Sequence, residues 1–150
     1  MEKLNKRLKT KVDLPLSRQT LISIFLTNNL IKSSLLNVLK PHDLSLEQFN
    51  VLRILRGQKG SPLNLQDIQE RMINKMSNTT RLVDKLILKS FVKRTECKKN
   101  RRKIEIYITK SGLDKLSELD SIVDATEEKT TSKLTAIELK ELIRLLHKIQ

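Results

Sequence analysis

The chain has 150 residues, with 30 Lys+Arg against 17 Asp+Glu and a formal net charge of +13 at pH 7. That length suits one domain with a real core, and 38% hydrophobic residues supply one, so a wholly disordered chain is excluded. Aromatic residues make up only 3%, with no Trp, which argues against a base-stacking platform, while one cysteine and two histidines exclude a disulfide framework and an all-cysteine metal site.

Residues 1–13 are lysine-rich and weakly periodic, and read as a basic arm or a frayed lead-in helix. They lack the apolar core of a signal peptide. Uninterrupted apolar runs along the chain stay far below the ~20 residues that span a bilayer, so a soluble cytoplasmic protein with no membrane partner is expected. A long helix begins at Ser17, with Leu21, Ile22, Phe25, Leu30, Ile31, Leu35 and Val38 in its apolar stripe. The stripe is wide for one buried face, which fits either a central core helix or a helix also covered by a partner subunit. Lys40-Pro41 closes it, because proline cannot continue the hydrogen-bond ladder.

A second helix opens at Ser45 with Gln48 at capping-box spacing, turns Leu46, Phe49, Val51, Leu52 and Leu55 inward, and ends at Gly57. Asn64 caps a short third helix from Leu65 to about Met72. Ile73-Asn74-Lys75 breaks the chain, and a fourth helix runs from near Ser77 to Lys89, burying Leu82, Val83, Leu86 and Ile87. The period then changes to two: residues 91–97 and 103–109 read as strands joined by 98–102, a hairpin with a cationic tip. Thr109 caps a fifth helix, Ser111 to about Glu128, and Thr135 with Glu138 forms a capping box for the last, which carries Ile137, Leu142, Leu145 and Leu146. The expected fold is mostly α with a small β-hairpin wing: a winged helix-turn-helix over 45–110, flanked by dimerisation helices in 1–44 and 111–150.

The charge has a centre. Residues 93–103 hold seven cations and one acid, whereas 114–150 are mildly acidic. A charge run is often only a solvated face, but this one directly follows a helix suited to a major groove. Ser77, Asn78, Thr80 and Arg81 are short or basic groups at its start, able to meet base edges and phosphates, and Lys75, Lys85 and Lys89 flank them. Thr79 is expected to turn inward. Lys98, Lys99, Arg101 and Arg102 on the hairpin would reach phosphates or an adjacent minor groove. Double-stranded DNA is therefore the expected partner.

Three spaced motifs carry a resemblance. Thr80-Arg81-Leu82-Val83-Asp84-Lys85-Leu86, Phe91-Val92-Lys93-Arg94, and Asn100 through Arg102, Ile106, Ile108 and Thr109 to Gly112 resemble the MarR (multiple antibiotic resistance regulator) family. The resemblance implies a homodimeric winged-helix transcription factor, paired through its first, fifth and sixth helices. It also implies pseudo-palindromic duplex DNA as target, often released by a small aromatic ligand. Two positions depart from the pattern. Asn100 replaces the usual Asp that helps hold the wing arginine. Ser90 replaces the usual glycine after the recognition helix, where a serine in the left-handed conformation costs about 1 kcal/mol.

Other chemistry is thin. Cys97 beside Lys98 and Lys99 reads as a redox-sensitive thiol or simply a small strand residue. His42 is a loop residue and His147 a helix-end residue near the C-terminal dipole, with no ligand-spaced partner, so neither a metal nor a cofactor is expected. No nucleophilic triad, phosphate loop or acid–base pair marks an enzyme. Phe25 and Phe49 could line a ligand cleft or fill the core. The rival to a sequence-reading regulator is a basic module that binds nucleic acid or an anionic surface without reading sequence or sensing a ligand.

Overall fold

The structure, a computed structural model, describes residues 6–9, 12–97 and 100–150, and the side chains of all of these except 97 and 100–103. Its elements are α1 (Leu16–Leu39), a 3-10 turn (Lys40–His42), α2 (Leu46–Arg56), α3 (Leu65–Arg71), α4 (Thr79–Leu88), β1 (Val92–Cys97), β2 (Asn100–Ile108), α5 (Lys110–Thr131) and α6 (Ala136–His147). This is the mostly helical winged arrangement expected from the sequence. The chain divides into two units, 1–34 and 35–150.

In the first unit, α1 satisfies its own polar groups. The hydroxyls of Thr20, Ser23 and Thr27 each donate to the carbonyl four residues back, which leaves Leu16, Leu21, Phe25 and Leu30 exposed between them. Counting only unbroken apolar runs undervalued this helix. With its 3-10 extension it is 27 residues from Leu16 to His42, long and apolar enough by length and composition to cross a membrane.

The second unit holds the core. Capping decides where each helix starts: the Ser45, Asn64 and Thr135 side chains accept from the third helical N–H, and Gln48, Asp67 and Glu138 return the bond. Helix α2 then buries Phe49, Val51, Leu52 and Leu55, and is packed against α3, α4, α5 and β2. Ile68 and Met72, Val83 and Leu86, Val92 and Ile106, and Leu116, Leu119 and Val123 complete one apolar cluster. Helix α6 stands apart, because none of its residues is buried; Ile137 is 81% exposed and Ile143 53%.

The hairpin is antiparallel, with Val92 opposite Ile108 and Lys93 opposite Tyr107. It has a third edge that alternation did not reveal. Leu63 exchanges both backbone hydrogen bonds with Ile106, at 3.1 and 2.8 Å. The strand β2 also begins at Asn100 rather than near residue 103, since Cys97 pairs with Asn100. The register jumps between Glu96 and Cys97, so 101–103 form a bulge in the ladder and Arg101 and Arg102 belong to the strand rather than to the connection.

Two backbone details fix the wing to the helices. Ser90 has φ +60°, so a serine adopts the left-handed cap conformation that glycine takes without strain. Its N–H donates to the Ile87 carbonyl and that of Phe91 to Leu86, at 2.8 and 3.0 Å, the two bonds of a Schellman motif. Gly112 lies where α5 meets the wing base, and a Cβ there would sit 2.3 Å from the Phe91 carbonyl oxygen.

Replacing Gly112 by Ala is therefore expected to destabilise the fold by about 3 kcal/mol, since backbone must shift to make room. Gly57→Ala, whose Cβ would approach nothing closer than 3.4 Å, should leave the unfolding free energy measured in urea within about 0.5 kcal/mol of wild type. Ser90→Gly relieves the left-handed strain and should raise the melting temperature by about 2 °C, read by circular dichroism.

Candidate nucleic-acid interface

The turn between α3 and α4 is tied down by side chains, so its residues are held in place while facing water. The Ile73 N–H donates to Asn50 Oδ1 on α2 at 3.0 Å. Gln69 on α3 works in two directions: its amide donates to the Lys75 carbonyl, and its Oε1 accepts from the Thr79 hydroxyl. Thr79 is only 5% exposed and is turned inward as expected, and this hydrogen bond satisfies its hydroxyl in a place water does not reach.

Helix α4 starts two residues later than its sequence pattern indicates. Asn78 is the N-cap, accepting the Arg81 N–H at 3.0 Å, and Ser77 precedes the helix in a turn whose N–H donates to the Asn74 carbonyl at 3.2 Å. A capping side chain satisfies the helix amide better than one more turn would. From there the helix divides cleanly. Thr79, Val83 and Leu86 are buried, whereas Thr80, Arg81, Asp84 and Lys85 are exposed, and so are Lys75 and Asn78 ahead of them; Ser77 is half-buried. No acid occupies the first turn, so the positive end of the helix dipole faces outward unopposed.

Ion pairs hold this face in register. Asp84 on α4 accepts from Arg94 on β1 at 2.9 Å, which ties the helix to the wing. At the far end, Lys89 donates to the carbonyl and the carboxylate of Asp43, so Lys89 is engaged within the fold rather than available to flank a ligand. The Lys89 ammonium holds the Asp43 carboxyl below its ordinary value of 3.8. Arg56 on α2 grips Asp120 on α5 with contacts of 2.7 and 3.0 Å. None of these three long-range pairs had a local sequence signature, because each joins residues set by packing.

The other candidates fall as follows. Lys98 and Lys99 lie outside the described residues, and of Arg101 and Arg102 only the strand backbone is described. The Cys97 thiol likewise lies outside the described side chains. Phe49 is 6% exposed and fills the core, with the Arg53 guanidinium 5.7 Å from its ring centre; Phe25, in the 1–34 unit, is 63% exposed. His42 sits in the 3-10 turn with Nδ1 3.1 Å from Glu118 Oε1. Lys115, ahead of His42, holds the Glu118 carboxyl below its usual range. Among the described residues no group of three His, Cys, Asp or Glu is placed to hold a metal ion.

Known proteins converge on this arrangement. The sequence model of the MarR family matches residues 44–104. Over 70 residues the chain is 36% identical to the uncharacterized HTH-type transcriptional regulator YfiV of Bacillus subtilis, a stretch covering 47% of this chain and 42% of that one. A MarR transcription factor from Planctomyces limnophilus is 30% identical, with 91% of this chain and 98% of that one covered at a TM-score of 0.69. A mutant E. coli MarR complexed with operator DNA is 25% identical, covering 91% and 94% at a TM-score of 0.77.

The Gln69–Thr79 bond gives a test of the turn. Gln69→Leu strands a buried hydroxyl and should cost about 1–2 kcal/mol in urea denaturation. Thr79→Val alone should be nearly neutral, and the double variant should recover most of the loss; a double variant as unstable as Gln69→Leu would mean the hydroxyl has another partner.

Proposed function

Because the chain belongs to the MarR family of transcriptional regulators, we propose that it binds duplex DNA as a homodimer and reads a pseudo-palindromic operator. The observation that carries this is the outward end of α4, where Lys75, Asn78, Thr80, Arg81 and Lys85 are all exposed on a turn pinned by Gln69 and Asn50. Short polar groups and one arginine at a helix start are what a major groove accepts, with the lysines placed for phosphates. Ser77, half-buried beside them, donates or accepts at the groove edge. Lys98, Lys99, Arg101 and Arg102 extend the same footprint along the adjacent minor groove. The E. coli relative complexed with operator DNA supports duplex DNA as the target class.

Pairing of two copies follows from apolar surface that each unit leaves exposed on its own: Leu21 and Phe25 on α1, and Ile137, Ile143 and Leu145 on α6. Two copies of α4 related by a two-fold axis would enter major grooves about one helical turn apart. Release by a small aromatic ligand and a cytoplasmic site of action belong to the same reading. A ligand would raise the melting temperature in a thermal-shift screen of aromatic carboxylates and lower DNA affinity.

The decisive experiment is selection of binding sites from random duplexes with the purified protein. An inverted repeat is expected; featureless enrichment would instead make the chain a basic module that does not read sequence. On the selected site, Arg101→Ala should weaken binding to all duplexes alike and reduce the salt slope by about one unit per protomer. Arg81→Ala should cost about 1–3 kcal/mol on the selected site and relax its sequence.

A further inference from the structure

The turn that leads into α4 carries large apolar side chains in water: Ile73 is 89% exposed and Met76 93%. Met76 stands two residues before the Asn78 cap. Its N–H donates to Asn74 Oδ1 at 3.2 Å, so its backbone is anchored while its thioether chain points away from the core. Apart from Ile73, its exposed neighbours in the chain are hydrophilic, among them Lys75, Asn78, Thr80 and Arg81. Nothing in the fold uses Met76, although Met72, four residues earlier, is 2% exposed and packed in the core.

A duplex offers such a side chain one apolar target. Base edges in the major groove present donors and acceptors, except for the C5-methyl group of thymine. An unbranched, polarisable chain with three rotatable bonds adapts to such a small target, as methionine does at other recognition surfaces. Resting on the reading that α4 enters the major groove, we propose that Met76 is a specificity-determining residue, packing its side chain on a thymine methyl group in each half-site. The contact selects T·A at that position where the neighbouring polar side chains cannot, because only a methyl gains from an apolar neighbour.

Deoxyuridine tests this directly, since it pairs as thymine does and lacks only the methyl. Duplexes recovered by site selection are remade with each thymine replaced in turn by deoxyuridine, and affinities are measured by fluorescence anisotropy at fixed salt. The full-length wild-type protein is expected to lose about fourfold at one thymine per half-site, the effect of one buried methyl group. Met76→Ala should bind the thymine duplex about as weakly as wild type binds the deoxyuridine one, and be indifferent to the swap. Met76→Leu should keep the penalty, and both variants should melt with wild type because the side chain is solvated.

A wild-type protein that tolerates every deoxyuridine within twofold overturns the assignment, as does a penalty that survives in Met76→Ala. A penalty erased by Ile73→Ala and not by Met76→Ala moves the contact to the wrong residue and also overturns it. A recovered inverted repeat without any methyl effect sinks this inference alone. Failure to recover a repeat at all removes the sequence-reading function and this contact with it.

Discussion

Helix α2 is enclosed by its neighbours, and the rest of the 35–150 unit is arranged around that burial. Phe49, Val51, Leu52 and Leu55 face α3, α4, α5 and β2, so one amphipathic segment supplies packing surface to both helices of the helix-turn-helix, to the wing and to the long helix that follows. A single buried Leu-to-Ala change in such a site costs about 2–5 kcal/mol, against a total stability of about 5–15 kcal/mol for a domain. The polar surface of α4 is therefore positioned by apolar contacts on its opposite side. Its exposed residues can be specialised for a partner because they are not needed for the core.

The ion pairs play a different part. Asp84–Arg94, Lys89–Asp43 and Arg56–Asp120 all join separate elements, yet each has at least one partner that is a third or more exposed, where pairing contributes little to stability. What they set is register: which end of α4 meets the wing, and how α2 lies along α5. The same acids also consume cations that composition alone would assign to a polyanion. The charge of +13 is thus partly internal, with Lys89, Arg94 and Arg56 engaged.

Most of this fold was legible because its determinants are local. Capping boxes at Ser45, Asn64 and Thr135 and the proline at Pro41 act within four residues, and they placed the helix starts nearly to the residue. Where long-range bonds compete, local reading fell short. Alternation along 103–109 could not reveal that Leu63 would pair with Ile106, or that closure at Cys97 and Asn100 would place Arg101 and Arg102 within the bulged strand β2. The start of α4 moved because the Asn78 side chain satisfies the Arg81 amide. For the candidate site, residue types and spacing identified the exposed face of α4, but Gln69 and Asn50 carry no motif. Their roles come from the partners that tertiary folding brings to them. Phe25 and Phe49 look equivalent in sequence and differ in burial, because α2 lies at the centre of the core whereas no described residue of the 1–34 unit is buried.

The contact at Gly112 has a mechanical meaning. Where two elements touch through long side chains, a displacement of one is absorbed by rotamer changes before it reaches the other. At Gly112 the helix contributes no side chain of its own: the space its Cβ would take is closed by the Phe91 carbonyl and the Ile108 side chain, and the neighbouring Thr109 hydroxyl donates to the Ser90 carbonyl at 2.7 Å. Main chain against main chain has almost no compliance. With no room for even a methyl group, a tilt or slide of α5 at this point presses on the backbone between α4 and the hairpin, so the joint is a stiff elbow with α5 as its long arm.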